Sequence, residues 1–292
     1  MLKNVELGRI FQLIKRLGLM SSINTSYKTV SWNIGGITDF IGLCRRAKLP
    51  SGDNLSQTSS LRNQRLEQAF KSIFESQKPD LIFLQEVGTI STSLKNWLPN
   101  YRFCYDGDDT LVAWNSERLT EIEGSRQSQQ LCNRYSIVDL QDTTTKKTVR
   151  VASAHLHGFD LARPERERCG HKVTNSGDDE LREITKLLLD RKIRNPDAIL
   201  IGMDANSTPD IHPERITILE DHGFKRDFSD NSVTAFNPTL PGREAKIDFI
   251  YATCSEGAIK VVAGDAKPDL QIESPKTNPS DHRPLYKTVL FE

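Results

Sequence analysis

Residues 199–210 read ILIGMDANSTPD, and the fold turns on what that stretch is. Ile199, Leu200 and Ile201 form a short apolar run of the kind that makes a buried strand. Gly202 follows, and then two short polar side chains, Asp204 and Asn206, with only Ala205 between them. If the strand runs on through them, both project to one side, because strand side chains alternate with a period of about two. The turn chemistry of Asn-Ser-Thr-Pro-Asp then ends the element. A carboxylate and an amide side by side at the end of a buried strand suit holding a water and a metal-bound phosphate. The same residues also read as a plain Asx-type turn, so the rest of the chain has to decide.

Outward from that strand, the chain alternates apolar runs with amphipathic ones. Thr29–Asn33 reads as a first strand closed by Gly35 and Gly36, and 48–60 as a polar loop. A helix is predicted over 61–77, with Leu66, Phe70, Ile73 and Phe74 on one face, stopped by Pro79. Asp80–Glu86 is a second apolar strand ending in an acid. Strands are predicted over 101–105, 111–114, 135–140 and 149–156, with a hairpin turn at Asp106–Asp109. A charged insertion, 158–177, precedes a helix over 178–192. A helix over 214–221 and strands over 246–252, 258–263 and 285–291 close the chain. With no internal repeat and no low-complexity linker, the economical division is an N-terminal amphipathic segment, 1–28, and one domain, 29–292.

Composition excludes several classes. At 292 residues, 37% hydrophobic and 27% charged, the chain can bury a sizeable core. Lys plus Arg and Asp plus Glu number 39 each, so any grip on nucleic acid must come from a local patch. The five cysteines are widely spaced and contain no CxxC, which argues against a disulfide framework or a zinc site. That usage points to a reducing intracellular compartment, the cytoplasm first and an organelle second. No run approaches the ~18 apolar residues of a transmembrane helix. Residues 1–20 interleave Leu2, Val5, Ile10, Phe11, Leu13, Ile14 and Leu17 with Lys3, Arg9, Lys15 and Arg16. That amphipathic pattern reads as a helix docked on the domain, or as a presequence or membrane contact.

The polar residues at strand ends carry the chemistry: Asn33, Glu86, His155, Asp204 with Asn206, Asp248, and Asp281 with His282 just before the last strand. Chains that deliver ligands this way build a site on one edge of a sheet from many separate elements. Carboxylates and amides are hard oxygen ligands suited to Mg²⁺ or Mn²⁺. An acid, two histidines and a hard cation supply what phosphodiester hydrolysis needs: charge neutralisation, a base for water and a donor for the leaving oxygen. Asp248 lies in an apolar strand and needs a partner there, for which His282 is the natural choice.

In sequence and order, SWNIGG, DLIFLQEV, SAHLHG, IGMDANSTPD, KIDFIYA and SDHRPLY resemble the endonuclease/exonuclease/phosphatase superfamily, over about Val30 to Val289. The resemblance implies a four-layer α/β sandwich with two central mixed β-sheets flanked by helices. It implies Asn33, Glu86 and Asp281 on the metal side, with Glu86 the principal ligand. It implies His155 near the scissile phosphate, and Asp204 and Asn206 orienting water and phosphate. Asp248 would align His282, which would act as base or bind the phosphoryl oxygen. Gly35 departs from the pattern, standing where apurinic endonucleases and tyrosyl-DNA phosphodiesterase 2-like enzymes carry an extra acid.

Family membership does not fix substrate. The leading expectation is a Mg²⁺- or Mn²⁺-dependent nuclease, with Arg163, Arg166 and Arg168 of the insertion gripping nucleic-acid phosphates; the same loop also reads as a mixed-charge solvated segment. A lipid or inositol phosphohydrolase using residues 1–20 at a membrane is the second reading. A degenerate binding scaffold is the third.

Overall fold

The apolar runs assemble into two sheets. The computed structural model describes residues 25–36, 40–42, 44, 54–105, 109–128, 134–157, 166–168, 171–173, 177–191, 194–209, 213–227, 234–235, 245–263 and 279–291. The first sheet holds β1 (Thr25–Asn33), β2 (Leu81–Gln85), β3 (Tyr101–Cys104), β4 (Thr110–Asn115), β13 (Ile259–Ala263) and β14 (Leu285–Phe291). Their order is β13-β14-β1-β2-β4-β3. The second holds β5 (Leu119–Glu121), β6 (Gln127–Ser128), β7 (Tyr135–Asp142), β8 (Thr148–His155), β11 (Ala198–Asp204) and β12 (Asp248–Cys254). Here the order is β12-β11-β8-β7-β5, with β6 added to β7. β1 with β2, and β8 with β11, run parallel, while the other pairs are antiparallel, so both sheets are mixed.

Helices cover both outer faces: α1 (Leu55–Gln77) and α2 (Ser91–Trp97) on the first sheet, α3 (Gly177–Leu189) and α4 (Pro213–Glu220) on the second. The period of two in β2 shows how the layers form. Leu81 and Phe83 face the second sheet, while Ile82 and Leu84 face Leu66, Phe70 and Ile73 of α1. β11 divides likewise, Leu200 facing inward and Ile199, Ile201 and Met203 facing α3 and α4. Three buried clusters therefore separate four layers, the architecture expected of the sequence.

Polar ties cross between the sheets. Tyr27 Oη donates to Asp142 Oδ2 at 2.9 Å, and Gln85 Nε2 donates to Ser153 Oγ at 3.0 Å. At Gly202 the sheets come so close that a Cβ would lie 2.4 Å from the Phe83 ring. This contact requires glycine at that place in an otherwise apolar strand.

Several boundaries differ from expectation. β1 begins at Thr25, because β14 pairs with it from Thr25 opposite Phe291. Residues 25–28, counted with the N-terminal segment, are thus strand. Helix α1 begins at Leu55, where Asn54 caps it by accepting from Gln57 N, so the second half of the expected polar loop is helical. β11 stops at Asp204, which leaves Asn206 in the following turn. Asp248 is the first residue of β12, not an interior one. α2, β5 and β6 were not anticipated, nor was the antiparallel pair β9 (Arg166–Arg168) and β10 (His171–Val173) inside the insertion. The amphipathic residues 1–20 and the hairpin tip 106–108 lie outside the described residues. No described helix is long and apolar enough to cross a membrane. Among the described residues, Cys44, Cys104 and Cys254 take part in no disulfide.

Candidate active site

Strand register does most of the assembly. In the second sheet Asp204 of β11 pairs with His155 of β8 on one side and Asp248 of β12 on the other. Three of the expected residues thus share one rung, the spacing at which cross-strand side chains touch. In the first sheet Asn33 pairs with Gln85, which places Glu86 one residue beyond the same edge. The two sheets meet there: Asn33 Nδ2 donates to Glu86 Oε1 and to Asp204 Oδ2, both at 2.9 Å.

Asn33 is a clasp in this arrangement. Its amide nitrogen faces two carboxylates and its oxygen accepts from Gly35 N at 2.9 Å. The metal-ligand role expected of it is therefore not what its hydrogen bonds display. Glu86 is the open group, with a side chain 27% exposed, and its Oε2 accepts from Gly36 N at 2.8 Å. Gly35 has φ of 65°, and a Cβ there would lie 3.2 Å from Ser280 Oγ and 3.7 Å from Asp281 Oδ1. The departure at this position leaves room beside Asp281 that a side chain would fill.

Two histidines flank Asp204. His282 Nδ1 bonds Asp248 Oδ2 at 2.9 Å and its Nε2 lies 3.8 Å from Asp204 Oδ2. His155 Nδ1 bonds Asp109 Oδ1 at 3.0 Å and its Nε2 lies 3.7 Å from the same Asp204 oxygen. Asp109 is the residue that sequence reasoning missed. Within DGDD it carries ordinary turn chemistry, and nothing local signals a histidine 46 residues on. Further bonds fix the frame. Trp32 Nε1 donates to His282 O at 3.0 Å, Ser280 Oγ to Asn33 O at 2.7 Å, and the amides of Ile247 and Asp248 share Thr234 Oγ1 at 3.0 Å.

Asn206 completes an Asx turn, its N–H donating to Asp204 Oδ1 at 2.8 Å. Its Nδ2 holds Leu156 O at 3.1 Å. The expected Asx turn is therefore present, formed by the same two residues that the site reading names. Glu86 and Asn206 share the left-handed backbone region, at φ of 57° and 46°. Asparagine adopts that region readily, whereas for glutamate it costs on the order of 1–2 kcal/mol, strain typical of functional positions.

Charge follows the geometry. Burial opposes a charged imidazole, but Asp248 and Asp204, with Asp281 beyond, outweigh it and raise His282 to about 10. At His155 burial is likewise outweighed, by Asp109, Asp204 and Glu86, and the ring is raised to about 10. Burial, then the neighbouring Asp248, raise the Asp204 carboxyl. The carboxylates that orient the two rings thus also favour their protonated, donor form.

Two donor sets could take a cation. Asp204, Asp248 and His282 bring one ligand atom each within 4.8 Å of one another, but Asp248 and His282 are already bonded to each other. Glu86 and Asp281 are partly exposed hard oxygen donors beside the Gly35–Gly36 turn, a chemistry that suits a hard divalent cation. Of the expected substrate contacts, Arg163 lies outside the described residues, and Arg166 and Arg168 are the two ends of β9.

The sequence model of the Endonuclease/Exonuclease/phosphatase family matches residues 30–282. Among solved structures, the chain resembles D. rerio TDP2 humanized by 14 mutations, at 16% identity and TM-score 0.56, over 90% of this chain and 98% of that one. It also resembles ANGEL2, a 2',3'-cyclic phosphatase, bound to adenosine-2',3'-vanadate, at 16% identity and TM-score 0.62, over 92% and 96%. The human Nocturnin catalytic domain with bound sulfate is similar at 15% identity and TM-score 0.59, over 92% and 98%. At these identities the likeness is one of fold. No curated protein matches by sequence.

Proposed function

The chain belongs to the Endonuclease/Exonuclease/phosphatase family, whose members hydrolyse phosphoester bonds, and on that premise we propose that it is a Mg²⁺- or Mn²⁺-dependent phosphodiesterase cleaving nucleic acid. The observation that carries the reading is the pair of carboxylate-tethered imidazoles facing one Asp204 oxygen, at 3.7 and 3.8 Å.

Asp204 accepts the proton of the attacking water, a task suited to a buried carboxylate whose proton affinity is raised. Asn33 and the Asn206 amide keep that carboxylate aimed. His282, oriented by Asp248, donates to a non-bridging phosphoryl oxygen. His155, oriented by Asp109, gives its proton to the leaving ester oxygen. One P–O bond forms to the water oxygen and one breaks to the leaving oxygen. The protons balance, since Asp204 gains one and His155 loses one. Glu86 and Asp281 would hold the cation, which when bound neutralises phosphoryl charge.

Support for nucleic acid comes from neighbours of this fold. D. rerio TDP2 is known with a single strand DNA product, and ANGEL2 with adenosine-2',3'-vanadate. The test is a panel of single- and double-stranded DNA, RNA, phospholipid and inositol phosphates with Mg²⁺, each repeated in EDTA. Chelator-sensitive cleavage of a polynucleotide that His282→Ala slows on the order of 10²–10⁴-fold is the expected result. Turnover confined to lipid or inositol phosphates would overturn the substrate class, and none at all would overturn the enzyme.

A further inference from the structure

We propose that two buried arginines, Arg62 and Arg215, are positioning residues that aim the peptide N–H groups holding Glu86 and Asp204. The inference deepens the proposed function and rests on it for what the two carboxylates do.

Each arginine comes from an outer helix and reaches the catalytic edge, Arg62 from α1 and Arg215 from α4. Arg62 is 7% exposed and Arg215 is fully buried. A buried guanidinium is costly unless it is hydrogen-bonded, so its partners show what it is there to hold. Arg62 Nη2 donates to Gly35 O and, at 3.3 Å, to Ile34 O. Arg215 Nη1 donates to Ala205 O and to His157 O, both at 3.0 Å, and its Nε donates to Asp178 Oδ1 at 2.6 Å.

The two grips have the same geometry. The Gly35 carbonyl belongs to the peptide whose other end is Gly36 N–H, the donor to Glu86 Oε2 at 2.8 Å. The Ala205 carbonyl belongs to the peptide whose other end is Asn206 N–H, the donor to Asp204 Oδ1 at 2.8 Å. A trans peptide is planar, with C=O and N–H pointing in opposite directions. Fixing the oxygen end therefore aims the N–H end. Both peptides border a left-handed residue, Gly35 at φ of 65° and Asn206 at 46°. Lysine cannot substitute, because a single ammonium on a flexible stem does not hold two carbonyls at fixed angles.

Gly177 supplies an independent handle on Arg215. A Cβ there would lie 2.7 Å from Arg215 Cζ and 2.8 Å from Nη2. As the first residue of helix α3 it stands in a conformation that alanine also adopts. Gly177→Ala therefore displaces the guanidinium and leaves the arginine in the chain.

The experiment compares Arg62→Lys, Arg215→Lys and Gly177→Ala in the full chain by three measurements: amide hydrogen exchange at Gly36 and Asn206, Mn²⁺ affinity by electron paramagnetic resonance, and steady-state kinetics. Arg62→Lys should speed exchange at Gly36 alone and weaken Mn²⁺ binding roughly 10-fold, the scale for losing an outer partner of a metal ligand. Arg215→Lys and Gly177→Ala should speed exchange at Asn206 alone. They should lower kcat on the order of 10- to 100-fold at unchanged KM and unchanged Mn²⁺ affinity. Both amides loosening alike in every variant, or a change in melting temperature alone, would show that the arginines merely support the fold. If the wild type hydrolyses no phosphodiester, the proposed function fails, while the two-amide pattern and the Mn²⁺ affinities still decide this inference.

Discussion

In the proposed mechanism His282 works through the hold that Asp248 has on its other nitrogen, at 2.9 Å, which makes the two one unit. Asp248→Asn, His282→Ala and the double variant should therefore lose similar amounts of kcat, on the order of 10²–10⁴. Losses that multiply in the double variant would separate the pair. The same cycle on Asp109 and His155 should be equally non-additive, because their bond, at 3.0 Å, has the same form. Both rings bind protons more tightly folded, at about 10 against 6.5 for a free imidazole. A raised value favours the fold fully below about pH 6.5, and the contribution is lost as pH rises through about 10. In chelator, the urea midpoint should fall through that window and His282→Gln should flatten the fall. A wild-type midpoint level across the window would deny the histidines this role. The histidines and their candidate acids were legible in the sequence wherever an apolar run delivered them to a strand end. Asp109 was not, because its role depends on a contact between strands of different sheets. Arg62 and Arg215 were hidden for a related reason: on an amphipathic helix a charged residue reads as solvated, and only the turn it reaches shows otherwise.

Helix α1 ends at Lys78, which has φ of 44° and whose N–H bonds Phe74 O. Glycine occupies that conformation without a Cβ clash. Lys78→Gly should stabilise the protein by about 1 kcal/mol and raise its melting temperature by roughly 2–4 °C; no rise would mean that the lysine side chain supports the cap. The crossing of β11 over β2 should respond in the opposite sense. Gly202→Ala forces a Cβ into the Phe83 ring and should cost about 1–3 kcal/mol in urea denaturation, as overpacking does. Continuous apolar runs such as 81–84 and 199–201 gave away both central strands, since only a strand buried on two faces reads that way. Short elements such as β5 and α2 did not announce themselves. Their residues carry little periodicity, and pairing with β7 or packing on α1 is what forms them.

At the scale of the whole molecule the candidate site straddles two sheets, and one of them closes through the far ends of the described chain. β1 lies between β2 and β14, and Thr29 Oγ1 bonds Lys287 O across 258 residues of sequence. Contacts of that separation form late, because the entropy of closing so long a loop must be met first. In refolding from urea, far-ultraviolet circular dichroism should recover before phosphodiesterase activity does. Simultaneous recovery would mean that β14 docks early. The same strand order bears on synthesis. While the polypeptide is still being extended on the ribosome, β14 is unmade, His282 has no seat beneath Trp32, and β1 has only one neighbour. Until residues 282–291 have been made, a nascent copy lacks both the imidazole and the strand that complete the candidate site.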